Sequence, residues 1–411
     1  MNKLIKDQIS QLKPSATLKI NEESNRLKKE GKKIYKFGFG QSPFPIPESI
    51  VLALKKNAVN NKYLPMQGLE ELRTAIAQHL NNLNTTKFKS ENIIVGPGTK
   101  ELMFLTQIAF DGEILLPGPS WVSYQPQAII AKNKVHWIQT SFETNWFPTA
   151  DQIENKIKSI KNKKLLLILN SPNNPSGTVC KNLKEIAEVS KKNKIIILSD
   201  EIYSNLTFGD EYKSISNYYP EGTIISTGLS KWCGAGGWRL GFFAIPDQLN
   251  EIKNSIKILC SESFTAVSAP IQYAAITAYT EDHSSYLKKV KKILFNIGMY
   301  VYENLKSNVV NIAKPEGGFY LFPEFVNAKF SSSAEMCKDI LEKTGVALLP
   351  GSDFGLDSKK MVARLSYTDF DGEAFLKSTS GSKNLNKADL EKYAPNIVEG
   401  VSKLKNWSKS L

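Results

Sequence analysis

Residues 165–179 read LLLILNSPNNPSGTV. Five successive apolar residues form a strand with no polar face, which a sheet buried on both sides requires and a half-exposed strand would not tolerate. Two asparagines between prolines then make a rigid turn at the strand's carboxyl end. In sheets covered by helices on both faces, that edge is where ligands bind.

The same rhythm continues outward. Short apolar runs at Asn92–Val95, Glu113–Leu116, Val135–Gln139, Leu165–Leu169, Ile195–Leu198, Thr223–Ser226 and Leu240–Ile245 alternate with helical periods such as Lys100–Phe110 and Leu183–Lys192. This predicts an α/β fold with a mostly parallel, seven-stranded sheet covered by helices. Residues 285–308 predict a long charged helix. Beyond it, a GGFYLFPEF strand signal, a helix near Ala334–Thr344, and the runs VALLPG and MVARLSY suggest a smaller α+β domain. The expected division is a large domain over 46–285 and a small one built from 1–45 and 286–411. The tail after Lys377 reads as a Gly/Ser turn and an amphipathic helix ending near Trp407, with no chemistry of its own.

The 411 residues carry 41% hydrophobic and 23% charged residues, ordinary globular proportions that exclude a disordered or collagen-like chain. No apolar run approaches the ~18 residues needed to span a bilayer. The start, MNKLIKDQISQLKP, lacks a signal peptide's apolar core. Cys180, Cys233, Cys260 and Cys337 form no CxxC pair, which argues against a zinc site and for a reducing compartment. The expectation is a soluble, cytoplasmic protein without a metal.

A net charge of +13 raises the question of nucleic acid. Of the 53 basic residues, however, only Arg26, Arg73, Arg239 and Arg364 are arginine, the side chain that nucleic-acid interfaces favour. The lysines read as a solvated surface. In such a chain an arginine marks a place where an ammonium will not serve, chiefly bidentate binding of a carboxylate or phosphate. Arg239 in GWRLG and Arg364 in ARLSY lie in apolar settings where a buried cation needs an anion; Arg26 sits in a polar helix and reads as surface.

Three segments carry the chemistry. SPNNPSGTV places Asn174 at one strand end. IIILSDEIY places Asp200 at the next, with Tyr203 just beyond. TGLSKWCGAGGWRLGF sets Lys231 in a polar turn eight residues before Arg239. Singly they are ordinary; together they gather an amide, a carboxylate, a phenol, an amine and an arginine at one sheet edge.

With NSPNNPSG, SDEIY, SK and GWRLG in this order and spacing, the chain resembles the class I, fold type I pyridoxal-phosphate aminotransferases, most closely the bacterial aspartate/prephenate subgroup. The likeness runs from Lys13-Pro-Ser-Ala-Thr17 to Arg364-Leu-Ser-Tyr367. It implies that Lys231 forms the Schiff base with pyridoxal 5′-phosphate and moves the proton, and that Asp200 pairs with the pyridinium nitrogen. Tyr203 and Asn174 would bind the ring 3′-oxygen, and Trp121 in GPSWVSY would stack on the ring. Gly98, Thr99 and Lys100 in VGPGTKEL would hold the phosphate at a helix N-terminus, completed by Ser230 and Arg239. Tyr63 would reach the phosphate of a neighbouring subunit, making a homodimer with shared sites. Arg364 would clamp the substrate α-carboxylate, helped by Asn174 and Gly40. Position 228 is glycine, where some relatives carry a phosphate-binding serine.

The resemblance implies amino transfer from an L-amino acid to a 2-oxo acid in two half-reactions. Lys100, with Lys13, Ser15 and Thr17, favours aspartate and glutamate. The usual GEPDF segment reads Gly40-Gln41-Ser42-Pro43-Phe44 here, which points toward aromatic or other donors. Rival readings are a PLP-dependent C–S lyase or aminocyclopropane-carboxylate synthase on the same scaffold, and a PLP-binding regulator. The regulator lacks room for a DNA-binding domain before residue 13. GAGGWRLG is no dinucleotide fingerprint because it precedes a strand, and Cys233 has no nearby histidine to make it a nucleophile.

Overall fold

Burial on both faces explains the central sheet. The computed structural model describes residues 4–10, 12, 16–209, 211–378 and 385–411. Seven strands, β1 (Ile93–Gly96), β2 (Glu113–Gly118), β3 (Val135–Gln139), β4 (Leu165–Asn170), β5 (Ile196–Asp200), β6 (Thr223–Gly228) and β7 (Gly241–Ala244), pair in the order β1-β7-β6-β5-β4-β2-β3. Only β7 runs against its neighbours, so the expected seven-stranded, mostly parallel architecture is the observed one.

Strand alternation sorts the core into layers. Leu166, Ile168, Ile114, Leu198 and Ile224 pack under the helices Thr99–Ala109, Tyr124–Ala131 and Asn250–Ser263. Leu165, Leu167, Leu169 and Ile197 pack under Ala150–Lys158 and Leu183–Lys192. In the latter helix Leu183, Ile186, Ala187 and Val189 are buried while its lysines face water, an ordinary amphipathic stripe.

The helix Ser284–Leu305 leads away from this core, and the helix Ser333–Thr344 follows. Short strands β8 (Val310–Asn311), β9 (Tyr320–Leu321), β10 (Glu324–Phe325), β11 (Leu349–Pro350) and β12 (Ala363–Ser366) form a two-stranded sheet, β10-β8, and a three-stranded one, β11-β12-β9. The single strand expected over GGFYLFPEF is split in two around Pro323, which has no N–H to give a ladder. The N-terminal segment joins this part: Tyr35 bridges Val346, and its N–H donates to Gly345 O at 2.9 Å. In the tail, the helix Pro395–Ser408 docks through Trp407, whose Nε1 donates to Asp339 at 2.8 Å; the expected Gly/Ser turn falls outside the described residues.

No helix among the described residues is long and apolar enough to cross a membrane.

Candidate active site

Register decides what meets at the carboxyl edge of the sheet. Asn170, the last residue of β4, sits opposite Asp200, the last of β5. The Asn170 side chain stitches the edge together. Its Nδ2 donates to Asp200 O at 2.8 Å and its Oδ1 accepts the Asn174 N–H at 2.7 Å. The NSPNNPSG turn is thereby folded back over the strand ends with Asn174 buried.

A cleft of about 500 Å³ opens above this edge. It gathers Gly40, Thr99, Lys100, Trp121, Asn174, Asp200, Tyr203, Ser230, Lys231, Arg239 and Arg364, from segments spread over more than 300 residues of sequence. Two larger hollows, about 880 and 970 Å³, lie elsewhere and contain neither Asp200 nor Lys231. Convergent chemistry, not size, identifies the site.

Asp200 is fully enclosed. Its Oδ2 accepts from the Tyr124 hydroxyl at 2.5 Å and its Oδ1 from the Ile202 N–H at 3.3 Å. Burial pushes its acid strength down, raising the pKa to about 6, against the opposing pull of Tyr124, Ile202 and the Lys231 charge. The Lys231 ammonium donates to Gly40 O at 2.8 Å and lies 5.6 Å from the ring centres of both Tyr203 and Phe319.

Arg364, on β12, is 4% exposed. Its Nη1 donates to Asn174 Oδ1 at 2.9 Å and its Nη2 to Gly38 O at 2.7 Å. The guanidinium lies between two rings, 4.7 Å from the Tyr320 centre and 5.2 Å from that of Phe354. Its Nε–H is buried and has no hydrogen-bond partner among the described residues. Burial lowers its pKa, an effect opposed by Tyr320, Tyr203 and Asp353. A stacked arginine with a donor to spare at the wall of a cleft is suited to a carboxylate.

Beside it, the helix Thr99–Ala109 starts at Gly98 with no side-chain cap, leaving its first N–H groups to serve an anion. Gly98 has φ +84°, and a Cβ there would lie 2.4 Å from the Arg239 guanidinium, so glycine is required for the arginine to approach the helix start. Arg239 itself is exposed, contrary to the burial its apolar setting suggests. It ends a tight turn at Gly236–Trp238 in the left-handed region before β7 begins, and donates to Gly236 O at 2.8 Å. Arg26 is at the surface, paired with Glu23 and Glu30. Lys100 lies 5.4 Å from the Trp121 ring centre, and burial and the Arg239 charge lower its pKa.

Tyr63 does not line this cleft; it is 93% exposed. Lys13 and Ser15 fall outside the described residues, as does the side chain of Thr17. Three participants were not singled out in the sequence. Tyr124 lies one helical turn beyond Trp121 in the same GPSWVSY segment. Tyr320 brings its hydroxyl to 3.0 Å from that of Tyr203. Asn170 is simply the last residue of a strand.

These groups fit a phosphorylated pyridine aldehyde. A helix start and an arginine suit the phosphate, a buried carboxylate suits a ring nitrogen, and the amine suits the aldehyde. The spare donor on Arg364 suits an amino acid's carboxylate.

The comparisons with known proteins agree. The sequence model of the family Aminotransferase class I and II matches residues 32–373. An aspartate aminotransferase of Bacillus sp. (strain YM-2) is 33% identical over 383 residues, covering 89% of this chain and 95% of the relative. A probable aspartate/prephenate aminotransferase of Aquifex aeolicus is 31% identical over 384 residues, covering 89% and 95%. Among solved structures, the aspartate aminotransferase of Thermus thermophilus with maleate is similar at a TM-score of 0.85 and 25% identity, covering 98% of this chain and 99% of that one. The alanine aminotransferase of Pyrococcus furiosus gives 0.86 and 25%, covering 99% and 100%. These relatives are transaminases, which sets aside the lyase, synthase and regulator readings. By its sequence, its fold and its relatives, this chain belongs to the aminotransferase class I and II family, whose members transfer amino groups with pyridoxal phosphate.

Proposed function

We propose that the chain is a homodimeric aminotransferase that holds pyridoxal 5′-phosphate in the cleft at Lys231 and takes its amino group from a dicarboxylic amino acid. The observation that carries this reading is the convergence of the Lys231 amine, the enclosed Asp200 carboxylate and the Arg364 side chain on one cleft.

In this reading Gly98, Thr99, Ser230 and Arg239 bind the phosphate and Trp121 covers the ring. Tyr203 and Asn174 hold the ring oxygen. The bound cofactor supplies an aldehyde for amine exchange and a ring that accepts electrons from the substrate α-carbon. Asp200 keeps a proton at the ring nitrogen. Arg364 binds the α-carboxylate, with Asn174 fixing the guanidinium plane. Lys231 would move the proton between the substrate α-carbon and the cofactor carbon that bore the aldehyde. The low-dielectric walls strengthen each of these interactions.

Lys100 supports a dicarboxylic donor: it is a cation at the cleft wall, and two relatives are named for aspartate. Exposed Tyr63 supports a shared site, since its phenol serves nothing in its own cleft. The proposed division of the chain remains 46–285 for the cofactor-binding part and 1–45 with 286–411 for the smaller one. A donor screen with 2-oxoglutarate as acceptor tests the substrate reading. Aspartate is expected to lead; a preference for aromatic donors would reassign the site to the course set by Gln41 and Pro43.

A further inference from the structure

Asp200 has a carboxyl neighbour that the site does not use. Glu201 follows it at the end of β5, is 3% exposed and does not line the cleft. Its backbone is clamped, its N–H donating to Ser226 O at 2.8 Å and its carbonyl accepting from Ser204 N at 2.9 Å and Thr227 Oγ1 at 3.3 Å.

Its side chain is equally well held. Glu201 Oε1 accepts from Ser199 Oγ at 2.8 Å and from Ser214 Oγ at 2.5 Å, and the Tyr212 phenol adds a further bond. Ser216 backs Ser214 at 2.8 Å. The groups facing Glu201 are therefore Asp200 and Ser199 from β5, Ser214 from the segment before β6, and Tyr212 from the preceding loop. Apart from Asp200 all are neutral, and among the described residues Glu201 makes no salt bridge. Burial and the Asp200 charge push its pKa up to about 7, while the hydroxyls pull the other way. A carboxyl kept in such a place costs stability that an apolar side chain would not.

We propose that Glu201 is a positioning residue for amino transfer: its charge, one residue along from Asp200, sets how strongly Asp200 holds a proton at the ring nitrogen of the cofactor. The proposal rests on the reading that pyridoxal phosphate binds in this cleft. A negative charge beside the pair favours the proton, so its removal lets the ring nitrogen lose that proton at lower pH. Between neighbouring groups in a protein interior the shift is on the order of one pH unit.

The test loads the full chain with ¹⁵N-labelled pyridoxal phosphate and follows the ring-nitrogen chemical shift against pH. In Glu201→Gln, which keeps the shape and can still accept from the serines, the midpoint is expected to fall by roughly one pH unit. Glu201→Asp, which keeps the charge, is expected to restore most of it. An unchanged midpoint in Glu201→Gln overturns the proposal. If that variant fails to fold, Ser214→Ala serves instead: without the 2.5 Å donor Glu201 holds its own proton longer and the midpoint moves down, or the proposal is wrong. Failure of the wild-type protein to take up the cofactor would sink the cofactor reading itself. A loaded protein whose midpoint ignores Glu201 would sink only the role given to Glu201.

Discussion

The Nη1 of Arg364 donates to Asn174 Oδ1 at 2.9 Å, tying β12 of the small sheet to the turn that follows β4 of the large one. One hydrogen bond thus joins the proposed carboxylate clamp to the floor of the cofactor cleft. Lysine cannot reproduce the planar fork or the stacking between Tyr320 and Phe354. Arg364→Lys is expected to lower kcat/KM for every amino donor, whatever its side chain, by about 2–5 kcal/mol in transition-state binding. Steady-state kinetics with aspartate and alanine check this; a loss confined to one donor would move Arg364 from the α-carboxylate to the side chain.

Gly40 is pressed against the same tyrosine. A Cβ at Gly40 would sit 1.8 Å from the Tyr320 hydroxyl and 2.8 Å from its Cζ. Gly40→Ala is expected to displace the ring that backs Arg364 and to cost about 1–3 kcal/mol in stability, with a drop in activity. Adding Tyr320→Phe removes the worst contact and is expected to restore part of both. Thermal melts and rates of the two variants measure the coupling.

Asp200 gives a pH prediction for the cofactor-free protein. Its folded pKa of about 6 lies above the ordinary 3.8, because burial disfavours the anion. The folded state therefore binds more protons than the unfolded one between these values. Stability is full below the unfolded value and is lost as pH rises toward and through 6. Asp200→Asn cannot ionise, so it is expected to stabilise the cofactor-free protein by on the order of 3 kcal/mol near pH 8 and hardly at all near pH 4. Urea unfolding at the two pH values reads this difference. The same variant is expected to lose amino transfer, a trade of function against stability.

Tyr63 predicts a shared site. Neither Tyr63→Phe nor Lys231→Ala alone completes the proposed machinery. In a mixed dimer, one of the two sites holds both defects and the other holds neither. Co-refolding the two inactive or weakened variants is expected to recover about a quarter of wild-type activity, half of the molecules being hybrids with one intact site each. No recovery above the sum of the parents would place Tyr63 outside the site.

The buried strands were legible because a doubly covered sheet needs continuous apolar runs, and LLLIL admits few other readings. Lys231, Asp200 and Asn174 were legible through their joint placement at strand ends. Tyr124 and Tyr320 were not, because an aromatic residue in an apolar segment looks like core until its hydroxyl is seen to bond. The exposure of Arg239 was hidden by its apolar neighbours; its left-handed backbone, φ +55°, turns it outward at the end of the Gly236–Trp238 turn, two residues before the strand. Pro323 dividing β9 from β10 could have been foreseen from the missing N–H.

The central claim is that the Lys231 amine carries the exchange. The most direct measurement is a single half-reaction: loaded protein is mixed with aspartate and no oxo acid, and cofactor absorbance and product are followed together. The account predicts conversion of the cofactor to its amine form with one oxaloacetate released per site, and none in Lys231→Ala. Conversion at the wild-type rate in Lys231→Ala, or release of free ammonia in place of nitrogen retained on the cofactor, would contradict it.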